Sequence, residues 1–72
     1  MSISQLTGRV QAFAQYCYDT YDLTTLEAAA AQPGADADDC AAWGISPDEW
    51  IIAVAVALND RYRQQEEAEG TP

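Results

Sequence analysis

The chain has 72 residues, of which twelve are acidic and only three are basic, and its formal net charge at pH 7 is −9. This charge repels nucleic acid and anionic membranes, so we expect neither of them as a direct ligand. The chain has no histidine and no lysine, which removes the usual general bases and histidine-activated nucleophiles. We therefore expect a protein that is not an enzyme and uses no cofactor.

The N-terminus lacks a basic segment followed by an apolar block, and the longest apolar run, residues 50–58, is about half the length of a spanning helix. We therefore expect a cytoplasmic protein that does not cross a membrane. Cys17 and Cys40 are too few for a disulfide framework. We expect both to be buried thiols, although the sequence leaves a disulfide between them open.

The first predicted helix covers residues 3–19. Ser2 and Gln5 have the spacing of a capping box at its start. Gly8 weakens the first turn. Apolar residues recur behind this start at steps of three and four, which is typical of one buried helical face: Ile3, Leu6, Val10, Phe13 and Cys17.

Two short helices are predicted next. Thr24 and Glu27 have the spacing of a second capping box, which would open an alanine-rich helix running through Ala31 until Pro33-Gly34 stops it.

For the second short helix, Asp36 can cap the start and Gly44 can end the last turn. Cys40 and Trp43, three residues apart, would then both face inward.

The strongest start signal belongs to the last helix. Ser46, Pro47 and Glu49 form a complete capping box with proline at the first helical position, and Ile45 and Trp50 are spaced as a hydrophobic staple. This helix is predicted over residues 47–65. Its expected buried stripe is Trp50, Ile51, Val54, Leu58 and Tyr62, widened by Ile52 and Val56.

Together these elements predict an all-α protein, a compact bundle of three to four helices with a long C-terminal core helix. Residues 1–65 would form a single helical domain. Residues 66–72 would be a frayed acidic tail, because acids are unfavourable at the negative end of a helix dipole.

The acids suggest a partner site rather than a metal site. A calcium loop needs glycine at its sixth position and glutamate at its twelfth, and the acids that follow Gly34 do not fit this pattern. Carboxylates three or four helical positions apart are instead about 5–6 Å from one another, not far from the spacing of phosphates in nucleic acid. The candidate partner-binding residues are Asp19, Asp22, Glu27, Asp36, Asp38, Asp39, Asp48 and Glu49.

In size and composition the whole chain resembles small phage-encoded anti-CRISPR proteins, some of which are compact acidic domains that mimic DNA. The resemblance implies a non-enzymatic inhibitor, acting in the cytoplasm of a bacterial host. Its partner would be a basic protein surface on a CRISPR surveillance complex or nuclease, blocked where it binds DNA.

An alternative function is that of a small structural or adaptor protein, or of a self-associating helical module. In that case a second copy would share the apolar surface of the last helix, because three short helices do not cover it. The sequence is compatible with a monomer or a homodimer.

Overall fold

A computed structural model describes the backbone of residues 1–70 and the side chains of residues 1–67. It confirms the all-α prediction. A short 3-10 turn, Ile3–Gln5, precedes four helices: α1 is Gly8–Thr20, α2 is Leu23–Ala30, α3 is Ala37–Trp43 and α4 is Pro47–Gly70. No strand occurs within residues 1–70.

Helix α4 is the central element. It packs chiefly against α1 and α2, and more lightly against α3 and the 3-10 turn. Because its 24 residues extend beyond the shorter helices, the molecule is elongated, measuring 44 × 24 × 18 Å. The buried apolar core consists of Ile3, Phe13, Ala14, Cys17, Leu26, Ile45, Trp50, Ala53, Val54, Val56 and Ala57.

The predicted first helix is divided in two. The Ser2 amide donates to Gln5 Oε1 at 2.8 Å as expected, but Leu6 and Thr7 are extended and α1 begins only at Gly8. Gly8 has a φ of +60°, a left-handed conformation that glycine adopts without a steric penalty. The expected apolar stripe nevertheless faces the core along its whole length.

The start of α2 differs from its prediction. Its N-cap is Asp22, whose Oδ1 accepts a hydrogen bond from the Thr25 amide at 2.8 Å, so the predicted cap at Thr24 was wrong. Aspartate is the better N-cap, and α2 therefore begins two residues earlier than predicted, ahead of the fully buried Leu26.

The capping predictions for α3 and α4 are confirmed. Asp36 Oδ1 accepts from the amides of Asp38 and Asp39 at 2.9 and 3.2 Å. The Ser46 amide donates to Glu49 Oε1 at 2.8 Å, and the Glu49 amide donates to Ser46 Oγ at 3.1 Å. Both staple residues of α4, Ile45 and Trp50, are buried.

The predicted buried stripe of α4 was partly wrong. Trp50, Val54 and Val56 are buried, whereas Ile51, Ile52 and Tyr62 are 49%, 45% and 40% exposed. The buried arc is completed instead by Ala53 and Ala57, whose small side chains let the neighbouring helices approach closely. Because α4 is apolar on both sides, its hydrophobic pattern alone could not identify which side faces the core.

Helix α4 also continues past the predicted end at Gln65, because glutamine, glutamate and alanine favour helix and no breaker intervenes. The fraying of residues 66–72 stays a prediction, and residues 71–72 lie outside the described part of the chain. No single described helix is long and apolar enough to span a membrane. Only α3 and α4 taken together would pass that test, and they are bent by 94°.

Candidate partner-binding site

The starts of α3 and α4 meet at one acidic corner of the molecule. The Trp50 indole Nε1–H donates to Asp39 Oδ2 at 3.2 Å and thereby joins the first turns of the two helices. We call the carboxylates of these two helix starts the acidic corner: Asp36, Asp38, Asp39, Asp48 and Glu49.

Capping contacts hold several of these carboxylates in place. Asp36 and Glu49 each accept backbone amide hydrogen bonds, and Asp39 accepts from the indole of Trp50. Asp38 and Asp48 are exposed in the first turns of the same helices. Because the held side chains have already lost rotamer freedom, binding a cation there costs less entropy.

Three of these carboxylates, Asp36, Asp39 and Glu49, act on the thiol of Cys40. Burial raises the pKa of Cys40 above its ordinary value, and the negative charges of Asp39, Asp36 and Glu49 raise it further. Two of these acids belong to α3 and one to α4. The acidic corner is therefore a site to which both helices contribute.

One carboxylate of the acidic corner, Asp39, also affects the pKa of Cys17, a thiol in the core. Burial is the main reason that the pKa of Cys17 rises from 9.0 to about 12, and the charge of Asp39 is the second. Cys17 and Cys40 are both free thiols. Cys17 is buried as expected, but Cys40 is only half-buried.

The other three predicted site residues lie around the connection between α1 and α2, and each has its own partner. Gln15 donates to Asp19 Oδ1 at 3.0 Å, and the Tyr62 hydroxyl donates to Glu27 Oε2 at 2.9 Å. Hydrogen bonds from Thr25 hold the pKa of Asp22 below its ordinary value, with a smaller contribution from Arg61.

Arg61 brings a positive charge to this connection. Its guanidinium donates to the carbonyl oxygens of Tyr18 and Tyr21, the latter at 3.0 Å, and lies 4.5 Å from the centre of the Tyr18 ring. We call this second region, which consists of Asp19, Asp22, Glu27 and Arg61, the α1–α2 junction. Arginine beside the last carbonyls of a helix is also favourable to the helix dipole.

A cleft of about 170 Å³ separates the two acidic regions. Tyr21 and Thr25 line it on the side of the α1–α2 junction, and Asp36 and Asp39 line it on the side of the acidic corner. The structure therefore divides the eight predicted acids into two sets: five lie at the starts of α3 and α4, and three lie around the connection between α1 and α2, each with its own partner.

Arg9 lies at the opposite end of α3 from its acidic start. Gly44, the left-handed C-cap of α3, has a φ of +63°, and the guanidinium of Arg9 lies beside it. The positive φ favours glycine at this position, whereas the exposed guanidinium of Arg9 is the end of a flexible side chain. Sequence reasoning missed the positions of Arg9 and Arg61, because both depend on contacts between distant segments.

Within residues 1–67, no three cysteine, aspartate or glutamate side chains form a group that could hold a metal ion. The chain matches no protein-family model, no curated protein and no solved structure.

Proposed function

We propose that this protein is a non-enzymatic inhibitor that binds a basic, nucleic-acid-binding surface of a host defence complex, in the manner of DNA-mimicking anti-CRISPR proteins. The observation that supports the proposal most is the acidic corner, where carboxylates of two helix starts come together: Asp36, Asp39 and Glu49 all act on the thiol of Cys40, and Asp39 is bonded to Trp50 of α4. A groove that binds phosphates would meet negative charges held at a comparable spacing.

The chemistry of the corner favours recognition of arginine and lysine. Carboxylates accept charge-assisted hydrogen bonds from both, and arginine can bind one carboxylate through two parallel bonds. The remaining charge of the chain adds long-range attraction, which raises the association rate with a cationic partner. Binding of this kind weakens as salt screens the charges.

The proposal is tested by two triple variants that remove the same number of charges. Asp36→Asn, Asp38→Asn and Asp39→Asn together neutralise the start of α3, while asparagine keeps both the N-cap and the acceptor for Trp50. The matched control neutralises the α1–α2 junction with Asp19→Asn, Asp22→Asn and Glu27→Gln.

Each protein is immobilised, used to capture partners from a bacterial host lysate, and the captured protein is then challenged with labelled duplex DNA. We expect to capture a nucleic-acid-binding partner for which the wild-type protein and the labelled DNA compete. The corner triple should bind at least about 30-fold more weakly, and the junction triple less than about 3-fold more weakly. Equal losses in the two triples, or affinity that added salt leaves unchanged, would contradict the proposal.

A further inference from the structure

One side of α4 is left uncovered by the other residues of the described part of the chain, 1–67. At 100° per residue, Ile51, Ile52 and Tyr62 lie on the same arc as the exposed Ala55 and the half-buried Leu58. Three large apolar side chains that are 40% to 49% exposed and lie together on one helix form a patch typical of an interaction surface.

The patch has a projecting part and a recessed part. Ile51 and Ile52 project from the N-terminal half of α4. Towards the C-terminal half, a groove of about 410 Å³ is walled by Met1 and Ala30 and floored by residues of α4 that include Ala55, Leu58, Asn59 and Tyr62. A surface that carries both a projection and a groove can be complementary to itself.

We propose that a second copy of this chain covers the patch, with the two α4 helices antiparallel and related by a two-fold axis at Ala55. Residues equally far from Ala55 then lie opposite one another, so Ile52 faces the partner subunit's Leu58 and Ile51 faces the partner subunit's Asn59. The projecting isoleucines of each copy enter the groove of the other. The small side chain of Ala55 lets the helix backbones approach at the axis.

The charges at the two ends of the patch select this arrangement. Asp48 lies seven residues before Ala55, and Arg63 lies eight residues after it on the same side of α4. The antiparallel arrangement places Asp48 beside the partner subunit's Arg63 at both ends, whereas a parallel one would place like charges together. Arg63 is half-exposed, and its contact with Asp60 at 3.7 Å is longer than a hydrogen bond.

The charge of the whole chain gives this dimer a distinctive dependence on salt. Each copy carries a net charge of −9, so two copies repel one another at long range. Added salt screens this repulsion and therefore strengthens the dimer, whereas it weakens binding of a cationic partner at the acidic corner. The dimer does not rest on the proposed inhibitor function, although both would use Asp48. The opposite salt effects distinguish the two tests, and the triple variant of the corner leaves Asp48 unchanged.

The experiment compares Ala55→Glu with Ala12→Glu by sedimentation equilibrium of the full chain at about 0.3 M salt. Both alanines are exposed on helices and both variants add one negative charge, but Ala12 lies on α1, away from the patch. The wild type should rise from its monomer mass of 7.8 kDa towards twice that mass, with a dissociation constant on the order of 50 μM, because the interface is small.

Ala55→Glu places two unpaired charges at the axis and should raise the dissociation constant at least about 100-fold, whereas Ala12→Glu should change it less than about 3-fold. Arg63→Asp should weaken the dimer, and the charge swap of Asp48→Arg with Arg63→Asp should restore it. Far-UV circular dichroism checks that every variant is folded.

Three results would overturn the proposal. The wild type could remain a monomer at concentrations of about 1 mM in added salt, or the two alanine variants could behave alike. The charge swap could fail to restore what Arg63→Asp loses, which would exclude the antiparallel register. A wild-type monomer whose lysate partner is lost in Ala55→Glu would assign the patch to that partner instead.

Discussion

The acidic corner and the α1–α2 junction are both rich in carboxylates, yet they differ in how those charges are compensated. At the junction, Arg61 comes from α4 to bind the end of α1, and the acids there have separate partners. At the corner, Asp36, Asp39 and Glu49 act together on the thiol of Cys40. The comparison shows that the number of acids in a segment does not by itself identify a binding surface. The positions of the few arginine side chains matter as much, and these depend on contacts between segments that are distant in the sequence.

The largest difference between the regions should come from removing Arg61. Arg61→Ala leaves the carbonyls of Tyr18 and Tyr21 without their donor and removes the contact with the Tyr18 ring, so the free energy of unfolding should fall by about 3 kcal/mol. Urea unfolding followed by circular dichroism measures it. Arg63→Ala is the matched control and should cost less than about 0.5 kcal/mol when it is measured well below the concentration at which the dimer forms. Similar losses in both variants would mean that Arg61 does not hold the junction together.

The second prediction concerns the pH dependence of the free energy of unfolding that comes from Cys17 in the core. The buried thiol of Cys17 has a pKa of about 12 instead of 9.0, so it stays protonated in the folded chain while the unfolded chain loses the proton. The stabilisation that the Cys17 thiol contributes to the fold is fully present below pH 9.0 and is lost as the pH rises towards 12. Between about pH 8 and 10 the free energy of unfolding should fall by about 1.4 kcal/mol more than in Cys17→Ala. The free energies are measured by urea unfolding at each pH. The prediction is contradicted if the free energy of unfolding falls equally with pH in the wild type and in Cys17→Ala.

The third prediction compares the N-caps of the two regions. Asp36 accepts two backbone amides and Asp22 accepts one, so Asp36→Ala should cost about 1 kcal/mol and Asp22→Ala should cost less. Asparagine at either position retains the acceptor and should cost less than about 0.5 kcal/mol. Thermal unfolding at fixed pH measures all four variants. If asparagine is as costly as alanine, the negative charge rather than the cap stabilises the helix.

The smallest effect tests the shared field at the corner directly. In a Cys17→Ala background, Cys40 is the remaining thiol, and its raised pKa slows alkylation because only the thiolate reacts. Asp39→Asn should lower the pKa of Cys40 and increase the rate of alkylation by iodoacetamide at pH 8. Asp22→Asn, at the junction, should leave that rate unchanged. An increase in both variants would mean that the two regions share one field.

The sequence predicted the local features of the fold well. The caps at Asp36 and Ser46 and the left-handed end at Gly44 each depend on residues within a few positions of one another. Signals of this kind are complete within a single segment, so no knowledge of the rest of the chain is needed.

One missed feature was local, since Asp22 rather than Thr24 caps α2. The other missed features depend on more distant contacts. The side of α4 that faces the core is set by where α1 and α2 pack, and Ala53 and Ala57 gave no signal stronger than that of Ile51 and Ile52. The break before Gly8 depends partly on Asp60, whose Oδ2 accepts from the Ile3 amide at 2.9 Å and so holds the 3-10 turn on α4. The eight site residues were predictable as acids, but their division into two regions was not.

The indole bond between Trp50 and Asp39 makes the acidic corner visible to fluorescence without any added dye. Trp50 is buried, and its Nε1–H is directed at a carboxylate that a bound arginine or lysine would also contact. Replacing the other indole by Trp43→Phe would leave emission from Trp50 alone. Its spectrum would then report occupation of the corner, whereas a ligand seated on the open side of α4 would leave the emission of Trp50 unchanged.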